Sequence, residues 1–214
     1  MKNASFQLKM QRVIYGPCAD ALASLTPTQI EFLKSLPKAE LHAHLNGCIP
    51  LACLQELAKH YTETHDQNTL QSDYLKKAID RLQHGVELSA IGDFFGLFPA
   101  IYTLTSTPKT LAHAARAVLN DFLDGEQKQC SYIELRSTPR KTESMTRLQY
   151  VETVLDEVEK YPEDVAALIV SLDRRMSRSD ARECVDIAVQ LKKAGRRVVG
   201  VDLCGDPTVY FLCV

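Results

Sequence analysis

From residue 130 onward the chain alternates short apolar runs with amphipathic helical stretches, and that alternation restricts the fold more than any other feature. The runs over 130–136, 165–172 and 197–204 read as strands. Between the first two, Thr146 opens a helix whose Tyr150, Val151, Val154, Leu155 and Val158 face inward. Between the second and third, Ser179 opens a helix through Ala194, with Gly195 as its stop. Strands separated by such helices pair in parallel, as βαβ units. The expected class is therefore α/β.

The residues before this region fit the same scheme. Thr26-Pro27-Thr28-Gln29 is a helix start, with a capping threonine, a proline suited to the first turn and a glutamine that completes a capping box. That helix runs to about Leu36. Pro37 then opens a strand over 38–46. Helices are expected over 50–60, 71–84 and from Thr107 to about Gly125, with a loop over 61–70. The stretch 89–104 has helical period and carries Phe94, Phe95, Phe98, Ile101 and Tyr102, most of them read as core, with a kink at Pro99. Residues 1–25 are expected to form an irregular arm.

Polar residues gather where the strands end. The first strand ends in His42-Ala43-His44-Leu45-Asn46, the second in Arg136-Ser137-Thr138-Pro139-Arg140, the third in Asp173-Arg174-Arg175, and the fourth in Gly205-Asp206-Pro207-Thr208. In a parallel sheet or barrel that edge is where ligands bind. Side chains alternate along a strand, so His42, His44 and Asn46 share one face and Leu41, Ala43 and Leu45 the other. Two imidazoles so placed can converge on one divalent metal, and neutral imidazole suits zinc. Ser137, Thr138 and Arg140 together suit a phosphate, with two hydroxyl donors and a bidentate cation. Asp173 is placed to orient a polar substrate group or to cap the following turn. His60, His65, His84 and His113 lie away from these ends and read as surface or packing residues.

Composition narrows the partners. The formal net charge of −2 supplies no basic field for nucleic acid. The seven cysteines have no CxxC pair and read as buried free thiols of a reducing compartment. No apolar run approaches a membrane span, and Met1 to Tyr15 has no apolar segment of the secretory kind. The expected location is the cytoplasm.

The segment Leu36-Pro37-Lys38-Ala39-Glu40-Leu41-His42-Ala43-His44-Leu45-Asn46-Gly47 resembles the opening strand of the adenosine/AMP deaminase family, closest within it to members that hydrolyse N6-methyl-AMP. Tyr132 to Arg140, Leu172 to Arg175 and Gly200 to Pro207 agree with it, so the resemblance covers about residues 30–209. It implies the N-terminal half of a (β/α)8 barrel with zinc at its C-terminal mouth. On this basis His42 and His44 are the first two zinc ligands, with His44 also beside the substrate. Asn46 stands where adenosine-specific relatives carry an aspartate; a neutral amide accepts a 5′-phosphate that a carboxylate would repel. Ser137, Thr138, Pro139 and Arg140 are implied in phosphate or ribose contacts, and Asp173 and Gly205 in sugar and base contacts. Tyr102 departs from the histidine usual at its position.

The implied activity is zinc-dependent hydrolytic deamination of a purine nucleoside monophosphate, N6-methyl-AMP to IMP and methylamine. The family's third zinc histidine, its general acid/base glutamate and its aspartate pair follow the fourth strand, and this sequence holds none of them. The partial barrel is expected over 26–209, with a non-homologous tail over 210–214. A half barrel of this kind is expected to be inactive alone and to self-associate or aggregate through its open edges. The alternative is a non-catalytic truncated isoform that binds nucleotide or a partner.

Overall fold

Thr26, Thr107 and Thr146 each accept a hydrogen bond from the backbone N–H three residues on, and the side chain of that third residue bonds back. These capping boxes satisfy donors that the first helical turn leaves open, which fixes helix starts at Pro27, Pro108 and Arg147. The computed structural model describes residues 16–64, 73–84, 91–124 and 128–205. It comprises two units, Met1–Pro37 and Lys38–Val214. The first holds α1 (Pro17–Ala23) and α2 (Pro27–Ser35). Part of the arm expected to be irregular is thus helical, started by Pro17, whose fixed φ suits the first turn. Residues 1–15 and the tail expected over 210–214 lie outside the described residues.

The second unit is built on four parallel strands in the order β1-β2-β3-β4. They are β1 (Ala39–His44), β2 (Tyr132–Ser137), β3 (Ala166–Asp173) and β4 (Val198–Cys204). Between β1 and β2 run α3 (Leu51–Thr64), α4 (Asp73–His84), α5 (Ile91–Phe95), α6 (Phe98–Leu104) and α7 (Pro108–Leu123). The later crossovers use one helix each, α8 (Arg147–Val158) and α9 (Arg178–Lys193). α7 packs on β2 and α8, α8 on β3, and α9 on β3 and β4. One apolar cluster joins Ile133 and Leu135 of β2, Leu168 and Val170 of β3, Leu111, Val118 and Leu119 of α7, and Val151, Val154 and Leu155 of α8. This parallel sheet with its helices is the expected α/β arrangement of a half barrel.

Four boundaries differ from the sequence reading. β1 ends at His44, because Cys48 N donates to the carbonyls of His44 and Leu45 and closes a 3-10 turn over Leu45–Gly47. α3 continues to Thr64, past the point where a loop is expected. The aromatic stretch breaks before Phe98 and does not kink at Pro99. Pro99 lies in the first turn of α6, where a missing N–H costs nothing. α9 is capped by Ser177, two residues before Ser179.

A buried carboxylate locks α7 to α8. Glu157 is 4% exposed and accepts two hydrogen bonds from Arg116 (2.8 and 3.0 Å) and one from Lys160 (2.7 Å). Burial opposes its charge, but Arg116 and Lys160 outweigh that and hold the carboxyl below its ordinary pKa. A depressed carboxylate stabilises above its unfolded pKa, and that contribution fades as pH falls through the folded value. Both cations are half exposed, which limits the gain. Glu157→Gln is expected to lower unfolding stability by about 1–2 kcal/mol at pH 7. The gap to the unmodified chain should narrow as pH falls below the glutamate range, read by urea denaturation across pH.

Candidate functional site

All four strands run the same way, so their C-terminal ends lie along one edge of the sheet. The histidine pair sits at the end of β1. The β1–β2 register passes from Glu40↔Ile133 to Ala43↔Leu135, three steps on one strand against two on the other. This is a β-bulge over Leu41 and His42, of the kind that re-aims side chains. The backbone groups it frees are taken by side chains. Glu40 Oε1 accepts from His42 N at 2.8 Å, and Arg136 Nη2 donates to the Leu41 carbonyl. The His42 and His44 rings stand with centroids 5.2 Å apart and planes at 62°. Burial lowers the His44 pKa below its ordinary value, the neighbouring His42 and Arg136 lower it further, and Asp202 opposes them. His44 is therefore neutral at pH 7, the form that ligates a metal.

Asn46 lies in the 3-10 turn beyond the strand. It is 8% exposed, and its Oδ1 is buried with no hydrogen-bond partner. A Cβ on Gly47 would lie 3.5 Å from Phe94 Cζ, so an aromatic ring borders this turn. From there rings run in series, Phe94 to Phe98 at 5.2 Å and Phe98 to Tyr102 at 5.5 Å. The stripe read as core is thus partly surface: Phe95 is 62% exposed.

At the end of β2, Ser137 Oγ is hydrogen-bonded to Tyr150 Oη (2.8 Å) and Thr138 Oγ1 to Cys204 Sγ (3.3 Å); Pro139 is buried. Arg140 donates to the carbonyls of Tyr102 (2.9 Å) and Thr105 (3.4 Å) and to Thr105 Oγ1 (2.8 Å). Its guanidinium lies 4.4 Å from the Tyr102 ring centroid and 5.4 Å from that of Tyr150. Ser137, Thr138 and Arg140 are neighbours, but the hydroxyls and both Nη atoms already have protein partners.

At the end of β3, Asp173 accepts from Arg175 N, Nε and Nη2 at 2.7–2.9 Å, which holds its carboxyl below the ordinary range. Gly205 has φ +97, and a Cβ there would lie 3.0 Å from Asp173 Oδ1. Only glycine meets that backbone without strain, so the ends of β3 and β4 stay in close approach.

Two charged residues given no role from the sequence also face this interior. Arg136 is 9% exposed and pairs through Nη1 with Asp202 Oδ2, while Asp202 Oδ1 is buried with no hydrogen-bond partner. The available signal was Asp202, the single charge in the otherwise apolar run of β4, since a charge in such a run calls for a partner. Among the described residues no three His, Cys, Asp or Glu side chains form a metal-binding group. At the end of β1 the chain presents two imidazoles, His42 and His44, side by side.

Residues 37–210 match the family model described as adenosine deaminase. The chain belongs to the adenosine deaminase family. N6-Methyl-AMP deaminase of Homo sapiens is 33% identical over 193 residues, spanning 86% of this chain and 50% of that protein. The adenosine deaminase-like protein of Drosophila melanogaster is 33% identical over 182 residues, spanning 83% of this chain and 51% of that protein. The chain thus spans about half the length of the curated relatives it matches. The Arabidopsis structure of this kind complexed with IMP superposes with a TM-score of 0.67 at 31% identity, covering 85% of this chain and 54% of that one. These family relations agree with the resemblance carried by residues 36–47.

Arg140 ties the β2 end to the α6–α7 junction, so Arg140→Ala is expected to cost about 2–4 kcal/mol of unfolding free energy. Arg140→Lys should lose most of the same amount, because one ammonium cannot replace the planar fork. Urea titration of the three proteins reads both.

Proposed function

We propose that the complete protein to which these residues belong is a zinc-dependent hydrolytic deaminase of purine nucleoside monophosphates, with N6-methyl-AMP converted to IMP and methylamine. The observation that carries this reading is the His42/His44 pair, aimed by the β1 bulge and neutral at His44, in a chain of this family. Relatives named N6-methyl-AMP deaminase in Homo sapiens and Bos taurus, and Arabidopsis structures complexed with IMP and GMP, support the nucleotide substrate. Zinc held by the pair would supply hydroxide at neutral pH.

His42 and His44 are the two metal ligands supplied here. Asn46 receives the 5′-phosphate end of the substrate through its Nδ2, an uncharged amide donor. Thr138 and Ser137 line that end, while Pro139 and Arg140 shape the loop that holds them. Asp173, pinned by Arg175, and Gly205 meet the sugar and base. A catalytic zinc takes three protein ligands, so the 214 residues alone bind zinc weakly and turn over negligibly. Among the described residues no helix is long and apolar enough to cross a membrane.

The half barrel also self-associates. Among the described residues β1 pairs with β2 alone and β4 with β3 alone. Leu41 on β1 is 52% exposed, and Val199, Val201 and Leu203 on β4 are 44–45% exposed. Such edges and faces promote pairing between chains.

Purified chain is expected to bind N6-methyl-AMP or AMP more tightly than adenosine. Asn46→Asp should remove about tenfold of the nucleotide affinity, ~1.4 kcal/mol, and little of the nucleoside affinity. Calorimetric titration checks this, and equal loss for both ligands defeats the phosphate role of Asn46. Zinc-dependent release of methylamine by the 214-residue chain would refute its inactivity. Light scattering should show mass rising with concentration; a monomer with a cooperative melt contradicts self-association.

A further inference from the structure

The bulge places a single peptide unit under control from two sides. Its carbonyl is that of Leu41, held by Arg136; its N–H is that of His42, held by Glu40. That plane precedes the first histidine, so its tilt sets the direction of the His42 Cα–Cβ bond. We infer that Arg136 is a positioning residue for the histidine pair. Its guanidinium spans from the Leu41 carbonyl on β1 to the Asp202 carboxylate on β4, and thereby fixes where His42 and His44 point.

The chemistry of the brace favours this over a purely structural ion pair. Arg136 is itself on β2, so one side chain reaches the strand beside it and the strand two positions further on. A planar fork has N–H groups diverging in fixed directions and can do this; a lysine ammonium cannot hold both directions rigidly. A buried pair kept only for stability is replaceable by apolar residues at little cost. Here one arm of the guanidinium ends on a bulge carbonyl, a backbone group for which no β1–β2 register pair is formed. The role falls to residues that touch neither metal nor substrate, as outer partners of metal ligands do. The inference deepens the metal reading above and rests on it only for its zinc consequence.

The test uses the full 214-residue chain and three variants, Arg136→Gln, Arg136→Lys and Asp202→Asn. Glu157→Gln serves as a control that loses stability away from the pair. Two quantities are read: the imidazole nitrogen resonances of His42 and His44 without metal, and the affinity for zinc alone by competition with a chromophoric chelator. The expected result is displaced His42 and His44 resonances and zinc binding weakened about ten- to a hundredfold in Arg136→Gln. Asp202→Asn and Arg136→Lys should fall between it and the unmodified chain, with the control unchanged in both readings. If Arg136→Gln does not fold, Arg136→Lys and Asp202→Asn decide the matter. Unmoved resonances, resonances that shift equally in the control, or unchanged zinc affinity in a chain that does bind zinc overturn the inference. If the unmodified chain binds no zinc more tightly than its His42→Ala/His44→Ala variant, the metal reading fails instead, and the metal-free resonances alone decide the role of Arg136.

Discussion

Because the four strands run parallel, each next strand is reached only through a crossover, and every strand delivers its last residues to the same edge. The rest of the molecule follows from that. The crossovers place α7, α8 and α9 against the strands and bury the apolar runs of β2 and β3. The shared edge gathers His44, Ser137, Asp173 and Cys204, residues distant in sequence, within one margin of the sheet. In a chain with hairpin connections the same residues would alternate between opposite ends.

On that frame the polar contacts around the strand ends are organised by arginines. Arg136 joins three strands, Arg140 fastens the β2 loop to the α6–α7 junction between two tyrosine rings, and Arg175 pins the carboxylate that ends β3. At the opposite margin Arg197 donates to the carbonyls of Tyr161, Pro162 and Ala166, where β3 and β4 begin. Each spends the planar fork on backbone or carboxylate oxygens that packing alone leaves unmatched. The thiols differ among themselves: Cys18, read with the others as buried, is exposed, whereas burial pushes Cys53 and Cys184 up to about 11, so these two act as small apolar fillers.

The strands and the capped helices were legible because their signals are local. The apolar run from Val165 to Leu172 and the threonine boxes at 26, 107 and 146 need no tertiary information. The histidine pair was legible for the same reason, two residues apart on one strand. The bulge was not, since it exists only as a mismatch between β1 and a strand some ninety residues away. Arg136 and Asp202 escaped notice as a pair because nothing in either strand reveals the other. The division of the aromatic stretch into α5 and α6 escaped because Pro99 disrupts a helix interior yet suits a first turn, and the sequence does not say where the turn begins.

The separation between β1 and β2 has a kinetic side. Ser131 and Lys38, which join the start of the two strands, lie 93 residues apart, whereas β2, β3 and β4 are each linked through one helix. Closing the longer loop carries the larger entropic toll. The histidine strand is the first of the four to leave the ribosome, and it meets its neighbour across the longest connection in the sheet. Until β2 is made, the two imidazoles ride on a segment with no partner strand, and the bulge that aims them comes into being only when β2 pairs beside them.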